Sequence, residues 1–240
     1  MKVFVKSFLV IVCLIVAQVS LADSKLIANS LLSAIPNLAI KNIQETPVKG
    51  VYQVETNSGE VLFSSSNGRY FFTGDMYSVD GSKLQNLSEI KREKARIGKI
   101  DSITDDQKIT FPAVGERKGS ITVFTDIDCG YCRKLHKEVP ELNAMGVDVS
   151  YLAYPRAGIN SESYKKYVSA WCADDKLDAM TRAKNGQSLA SKVCENPVAN
   201  QFNLGREIGI SGTPAIILDN GTLIPGYIDA KKIGQALEIL

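Results

Sequence analysis

The sequence predicts a chain in two parts: a small α+β N-terminal unit built on an antiparallel sheet, joined by a linker helix to an α/β domain with a helical insertion. Three observations carry this expectation. Short alternating runs separated by turn residues fill the first third. A charged, thinly apolar helix follows. Strand, helix and strand then recur in an order that requires a parallel pair. The 240 residues are 45% hydrophobic and 22% charged, as in ordinary globular proteins, which excludes a disordered tail, a collagen-like repeat or a miniature disulfide-held fold.

Residues 1–22 stand apart as a signal peptide. Lys2 and Lys6 form a basic n-region, Phe8 to Ala17 is an apolar core, and Ser20-Leu21-Ala22 supplies small residues for cleavage after Ala22. The alternative, a stable membrane anchor, needs about 20 apolar residues, and Gln18 and Ser20 interrupt the run. Cys13 sits inside this segment. Losing Lys2 and Lys6 leaves 26 basic against 26 acidic residues, a balance that argues against a nucleic-acid partner. An exported protein without a membrane anchor is expected.

Residues 23–83 are expected to form the N-terminal domain. Leu26, Ile27, Leu31 and Leu32 share a helical face that Pro36 ends. Val51–Thr56, Glu60–Ser64 and Arg69–Thr73 then alternate, separated by Asn57-Ser58-Gly59 and Ser65-Ser66-Asn67-Gly68, as in a three-stranded meander. So small a core implies a partner surface, and self-association is expected. Residues 84–104 are expected to be linker helix and linker. Leu84, Leu87, Ile90 and Ile97 thread a run of Glu, Lys and Arg, read as a solvated connector. Lys99–Ser120 reads as linker followed by a strand.

Residues 105–240 are expected to form the second domain. Ile121–Thr125 is a strand, a Cys-containing turn opens a helix running to about Met145, and Val147–Tyr154 is the parallel strand. Asn160 or Ser161 caps the next helix. Asn196-Pro197 starts another, Ala215–Leu218 and Thr222–Ile224 form a hairpin around Asn220-Gly221, and Asp229 to Ile239 is the last helix. That order is the thioredoxin-like one, with a helical insertion.

Four cysteines remain beyond the signal segment, in two unlike pairs. Cys129-Gly130-Tyr131-Cys132 lies where strand passes into helix. At a helix start, unpaired N–H groups and the dipole stabilise a thiolate, the species that attacks a disulfide. Cys129, expected open to solvent, is the candidate nucleophile and Cys132, one turn inward, the candidate resolving thiol, with Gly130 and Tyr131 as active-site neighbours. An inert bridge is the alternative. No metal is expected, because zinc sites want two close-spaced pairs; no cofactor is called for. His136, the sole histidine, is expected in a surface or packing role. Cys172 and Cys194 are read as a structural disulfide worth about 3 kcal/mol in the chain-entropy model, with a second redox pair as alternative. Thr213-Pro214, entering a strand, is a candidate cis peptide whose backbone would bind an extended substrate. Thioredoxins carry a buried acid six positions before the first cysteine. Val123 stands there, so a proton relay is expected to use another group, Asp126 with Arg156, if these two do not merely cap the loop.

Phe124-Thr125-Asp126-Ile127-Asp128-Cys129-Gly130-Tyr131-Cys132, Tyr154-Pro155-Arg156, Cys172 with Cys194, Gly212-Thr213-Pro214-Ala215 and the upstream Gly74-Asp75-Met76-Tyr77 together resemble the bacterial periplasmic disulfide isomerases of the DsbC/DsbG family, along the whole chain. The resemblance implies a periplasmic homodimer joined through its N-terminal domains. It implies that Cys129 attacks wrong disulfides in misfolded exported proteins, that Cys132 resolves trapped intermediates, and that a membrane reductase of the DsbD type keeps the pair reduced. Gly98–Gly119 looks longer than the family's usual linker. Disulfide isomerase or reductase activity, with chaperone activity beside it, is the expected function; a net dithiol oxidase or a thiol-independent chaperone are the alternatives.

Overall fold

The computed structural model describes residues 21–240 apart from 58 and 59. The expected signal segment therefore lies outside the described residues, save for Leu21 and Ala22, which open the first helix. The chain divides into two compact units that meet between Gly74 and Asp75.

In the first unit, helix α1 (Leu21–Ala34) covers a sheet of β1 (Ile40–Glu45), β2 (Val51–Thr56), β3 (Val61–Ser65) and β4 (Phe71–Thr73), antiparallel in that order. The meander is there, and β1 is a fourth strand beyond the three expected. A register shift between Ile40 and Asn42 breaks its alternation, so its sequence lacks the period of two that marks a strand. The core is small: Ile27 and Leu31 of α1 meet Tyr52 and Val54, and the Tyr52 hydroxyl donates to Asp23 at 2.7 Å. Phe63 is buried and stacks on Phe72. Tyr70, Phe71 and Phe72, at the open edge of the sheet, remain exposed.

The second unit begins with a hairpin, β5 (Tyr77–Asp80) and β6 (Lys83–Asn86), then helix α2 (Leu87–Asp101). The helix starts three residues after Leu84 because the Asn86 side chain caps it, accepting from the Glu89 N–H at 2.9 Å. The charge run of α2 is not wholly solvated. Arg96 is buried, donating to the Gly221 carbonyl at 2.8 Å and pairing with Glu89 at 2.7 Å. Gly221 has φ +85°, and a Cβ there would stand 2.4 Å from the Glu93 carbonyl, so only glycine lets α2 approach this turn. Nor is Gly98–Gly119 free linker: α2 extends through Asp101, a 3₁₀ turn spans Asp105–Gln107, and Ile109–Phe111 forms β7.

Strands β7, β8 (Gly119–Thr125), β9 (Val147–Ala153), β10 (Ala215–Leu218) and β11 (Leu223–Pro225) form one sheet in the order β11-β10-β8-β9-β7. β8 and β9 are parallel and the other pairs antiparallel. The helix after β8 is two helices, α3 (Gly130–His136) and α4 (Val139–Ala144). Pro140 sits in the first turn of α4, where its missing N–H and ring forbid continuation of the preceding helix. Then come α5 (Glu162–Trp171), α6 (Lys176–Lys184), α7 (Val198–Glu207) and α8 (Ala230–Ala236). Ile121, Val123, Val149, Leu135, Leu142, Tyr167 and Ile216 form the main core. Gly205 of α7 lies so close that a Cβ would stand 2.6 Å from the Tyr154 ring.

Candidate active site

The parallel pair β8–β9 fixes the site. β8 is apolar and buried from Ile121 to Thr125, so its C-terminal end is a rigid platform, and Asp126-Ile127-Asp128 turns the chain from it into α3. Cys129 has extended backbone (φ −81°, ψ 123°) and caps that helix: its Sγ accepts from the Cys132 N–H at 3.4 Å. From the opposite side, the Thr213 carbonyl accepts from Cys129 Sγ at 3.3 Å. The Thr213–Pro214 peptide is cis.

Cys129 does not stand open to solvent. It is 2% exposed and Cys132 1%, while Tyr131 between them is 64% exposed. The site presents its aromatic rim and withholds its sulfurs. Tyr131 stacks on Tyr227 at 6.3 Å between centroids, Lys134 Nζ lies 4.2 Å over the Tyr227 ring, and the Tyr227 hydroxyl donates to Glu138. Glu138 also accepts from the Ala230 N–H at 2.5 Å, which ties this rim to the start of α8.

The two thiols are electrostatically unlike. Burial works against the Cys129 thiolate, but the Thr213 side chain, hydrogen bonding from Cys132 and the charge of Arg156 more than offset it, so its pKa falls below that of a free thiol. Burial pushes the Cys132 thiol up, and Lys184, the Asp126 backbone and Thr125 recover only part of the cost. Two chemically identical groups three residues apart thus hold their protons differently.

Asp126 is a loop anchor. One oxygen accepts from the Asp128 N–H at 2.8 Å and from the Ser163 hydroxyl; the other accepts from the Arg156 N–H at 3.0 Å and Nε at 3.2 Å. Burial raises its pKa, but these bonds bring it below the usual carboxylate range. These four bonds give Asp126 and Arg156 the loop-capping role, the alternative to the proton relay. His136 is buried; its ring nitrogens lie 3.0 Å from the Tyr151 hydroxyl and 3.3 Å from the Thr181 hydroxyl. Burial and the Lys184 charge take its pKa down to about 4.

Sequence reasoning missed Lys184. It is the last residue of α6, 2% exposed, and donates to Thr125 Oγ1 at 2.5 Å and to the Asp126 carbonyl at 2.9 Å. Nothing in a Thr-Arg-Ala-Lys run separates it from a surface lysine. Cys172 and Cys194 are bonded to each other, 22 residues apart, tying the end of α5 to the segment after α6.

Two family models match the chain: a disulfide bond isomerase N-terminal domain over residues 18–89 and a thioredoxin-like domain over residues 105–240. The thiol:disulfide interchange protein DsbC of Escherichia coli K12 is 40% identical over 197 residues, covering 82% of this chain and 80% of the relative. This chain belongs to the DsbC family. The DsbC of Haemophilus influenzae is 34% identical across 97% of both chains. The crystal structure of a disulfide interchange protein from Neisseria gonorrhoeae superposes with a TM-score of 0.51 at 28% identity, covering 57% of this chain and 96% of that one. DsbC-family membership makes the protein a thiol:disulfide interchange enzyme, a disulfide isomerase whose substrates are disulfide-bearing proteins. Among the described residues, no helix is long and apolar enough to cross a membrane.

Proposed function

We propose that Cys129 is the attacking thiol and Cys132 the resolving thiol of a periplasmic isomerase that rearranges incorrect disulfides in exported proteins. The observation that carries this reading is geometric: Cys129 caps α3, its Sγ accepting from the Cys132 N–H at 3.4 Å and donating to the Thr213 carbonyl at 3.3 Å, while Cys132 lies buried in the first turn; the opposed pKa directions of the two sulfurs, down at Cys129 and up at Cys132, agree with it. Cys129 thiolate attacks one sulfur of a client disulfide and the other leaves as thiolate. The mixed disulfide then passes to a second client thiol, completing the isomerisation. If it stalls, Cys132 attacks Cys129 and releases the client reduced.

Gly130 gives the client close approach: a Cβ there would meet nothing within 4 Å. Tyr131 offers an exposed aromatic face beside the sulfur. Thr213 and Pro214 present an extended backbone edge to which a client strand adds. Residues 23–83 serve as the dimerisation domain and 84–104 as its linker to the catalytic domain, 105–240. The exposed aromatics Phe71 and Phe72 on an edge strand, with Tyr70 just before it, support a homodimer, and such apolar surface suits chaperone binding of unfolded clients. Export with cleavage after Ala22, and re-reduction by a membrane reductase of the DsbD type, complete the proposal.

The test is recovery of activity from a scrambled multi-disulfide protein. Cys129→Ser abolishes it; undiminished recovery refutes the assignment. Trapping thiols in living cells separates isomerase from oxidase: the pair is found mostly reduced, and a mostly oxidised pair refutes the isomerase reading.

A further inference from the structure

Tyr131 is 64% exposed, yet Cys129, two residues before it, is 2% exposed. A client disulfide meets the Cys129 sulfur only if the residues that flank it lie down on the surrounding surface. Part of that surface is the edge at Thr213 and Pro214, and part is the Tyr131 ring. A tyrosine left in water beside a binding site is the kind of group that anchors a partner, because it offers a wide, rigid apolar face on only two side-chain torsions.

The exposed ring does not stand alone. Tyr227, in the turn that follows β11, stacks on it with centroids 6.3 Å apart and planes 23° from parallel, inside the range of about 4.5–7 Å at which rings attract. Tyr227 is itself fixed. Its hydroxyl donates to Glu138 Oε1, and the other oxygen of that carboxylate accepts from the Ala230 N–H at 2.5 Å. The Lys134 ammonium lies 4.2 Å over its ring, within cation–π reach. The residue before it, Gly226, donates its N–H to the Pro214 carbonyl at 2.8 Å. Gly226 has φ +83°, a conformation glycine adopts freely, and this lets the chain leave β11 and turn toward α3. One short turn thus joins the cis-proline loop to the rim of the Cys-Gly-Tyr-Cys segment.

We propose that Tyr227, held by Glu138, fixes Tyr131 as an aromatic shelf that receives an aromatic or large apolar side chain flanking the client cysteine. The inference rests on the role proposed for Cys129 and adds the class of client sequence served. Tyr131 touches the client, and Tyr227 is a positioning residue for it. A surface already held in its binding conformation loses less freedom when the partner arrives. Apolar neighbours are also what a misfolded protein presents. Cysteine is among the residues most often buried, so the segments that carry it belong to cores and are uncovered when the fold is wrong. An acidic side chain drawn by Lys134 is the competing occupant. The ammonium already has the Tyr227 ring beneath it, however, whereas Tyr131 keeps most of its surface open.

The experiment reacts the reduced full chain at pH 7 with blocked pentapeptides whose single cysteine carries a thionitrobenzoate disulfide. The cysteine is flanked on both sides by phenylalanine, serine or glutamate. Cys129 thiolate bonds to the peptide sulfur, the disulfide breaks, and thionitrobenzoate leaves as the coloured thiolate with the electron pair. Each rate is divided by that of the same peptide with 2-mercaptoethanol, which removes the peptide's own reactivity. The wild type prefers phenylalanine over serine by about fivefold, the worth of one aromatic pair. Tyr227→Ala brings the ratio to about one, and Tyr227→Phe, which keeps the ring but frees it from Glu138, to about half the wild-type value. A loss of stability alone slows all peptides together and leaves the ratio unmoved. Tyr227→Phe decides the matter if Tyr227→Ala does not fold. A wild-type ratio near one, a glutamate peptide that reacts fastest, or a wild-type ratio retained in either folded variant overturns the proposal. Thionitrobenzoate release that survives Cys129→Ser instead overturns the assignment of the sulfurs, whatever the ratio.

Discussion

Lowering the pH should destabilise this protein through one side chain. His136 is the sole histidine, and burial with the Lys184 charge takes its pKa from 6.5 to about 4. The unfolded chain therefore binds a proton that the folded chain refuses. Stability is lost as pH falls below 6.5 and the loss is complete once pH passes below about 4. Linkage makes it about 2 kcal/mol at pH 5 and about 3 kcal/mol at pH 4. The carboxylates with lowered pKa, Asp75, Glu89, Asp126, Glu162 and Asp229, contribute stability that disappears at lower pH still, so the window between pH 6.5 and 4.5 belongs to the imidazole. His136→Phe keeps a ring against Phe111, whose centroid lies 5.3 Å from the imidazole, and removes the titration. It also strips the Tyr151 hydroxyl of its partner, at about 1–3 kcal/mol, so the variant is weaker at pH 7 and its curve approaches the wild type near pH 5. Urea unfolding at a series of pH values, with the thiols held reduced and followed by fluorescence of the buried Trp171, measures both curves. A variant that loses as much stability as the wild type between pH 7 and 5 refutes the reasoning.

Gly205→Ala drives a methyl into the Tyr154 and Phe124 rings and should cost about 1–3 kcal/mol by overpacking, read as a lower urea midpoint with an unchanged slope. Arg96→Met leaves the Gly221 carbonyl without its donor and Glu89 with Arg92 alone. It should cost about 2 kcal/mol, and hydrogen exchange should quicken along α2; unaltered protection there would show that Arg96 does not hold the helix.

Much of the catalytic unit is readable from the chain because local and global signals agree. Ile121–Thr125 and Val147–Tyr154 are long apolar runs, Ser161 and Asp229 cap helices in the structure as their positions suggest, and the Cys-x-x-Cys turn announces itself by spacing. The failures have physical causes. The strand Ile40–Glu45 hides behind its bulge. The break at Pro140 is written in the sequence but is masked by Leu135, Val139 and Leu142, which keep a helical spacing across it. Arg96 and Lys184 are invisible because a sequence shows charge, not depth; their burial depends on oxygens from Gly221, Thr125 and Asp126 that arrive from distant parts of the chain. The closure of Cys129 has the same origin, since the carbonyl beside its sulfur belongs to Thr213, 84 residues away.

The bridge between Cys172 and Cys194 places an enzyme of sulfur exchange in an awkward position toward itself. Cys194 faces solvent, within reach of any free thiolate, including one borne by a sister molecule. That linkage frames α6, whose final residue is Lys184. Maturation must therefore oxidise one cysteine pair and spare the other, and a reductant strong enough to open both would also release the helix that carries a buried amine to the foot of the reactive loop.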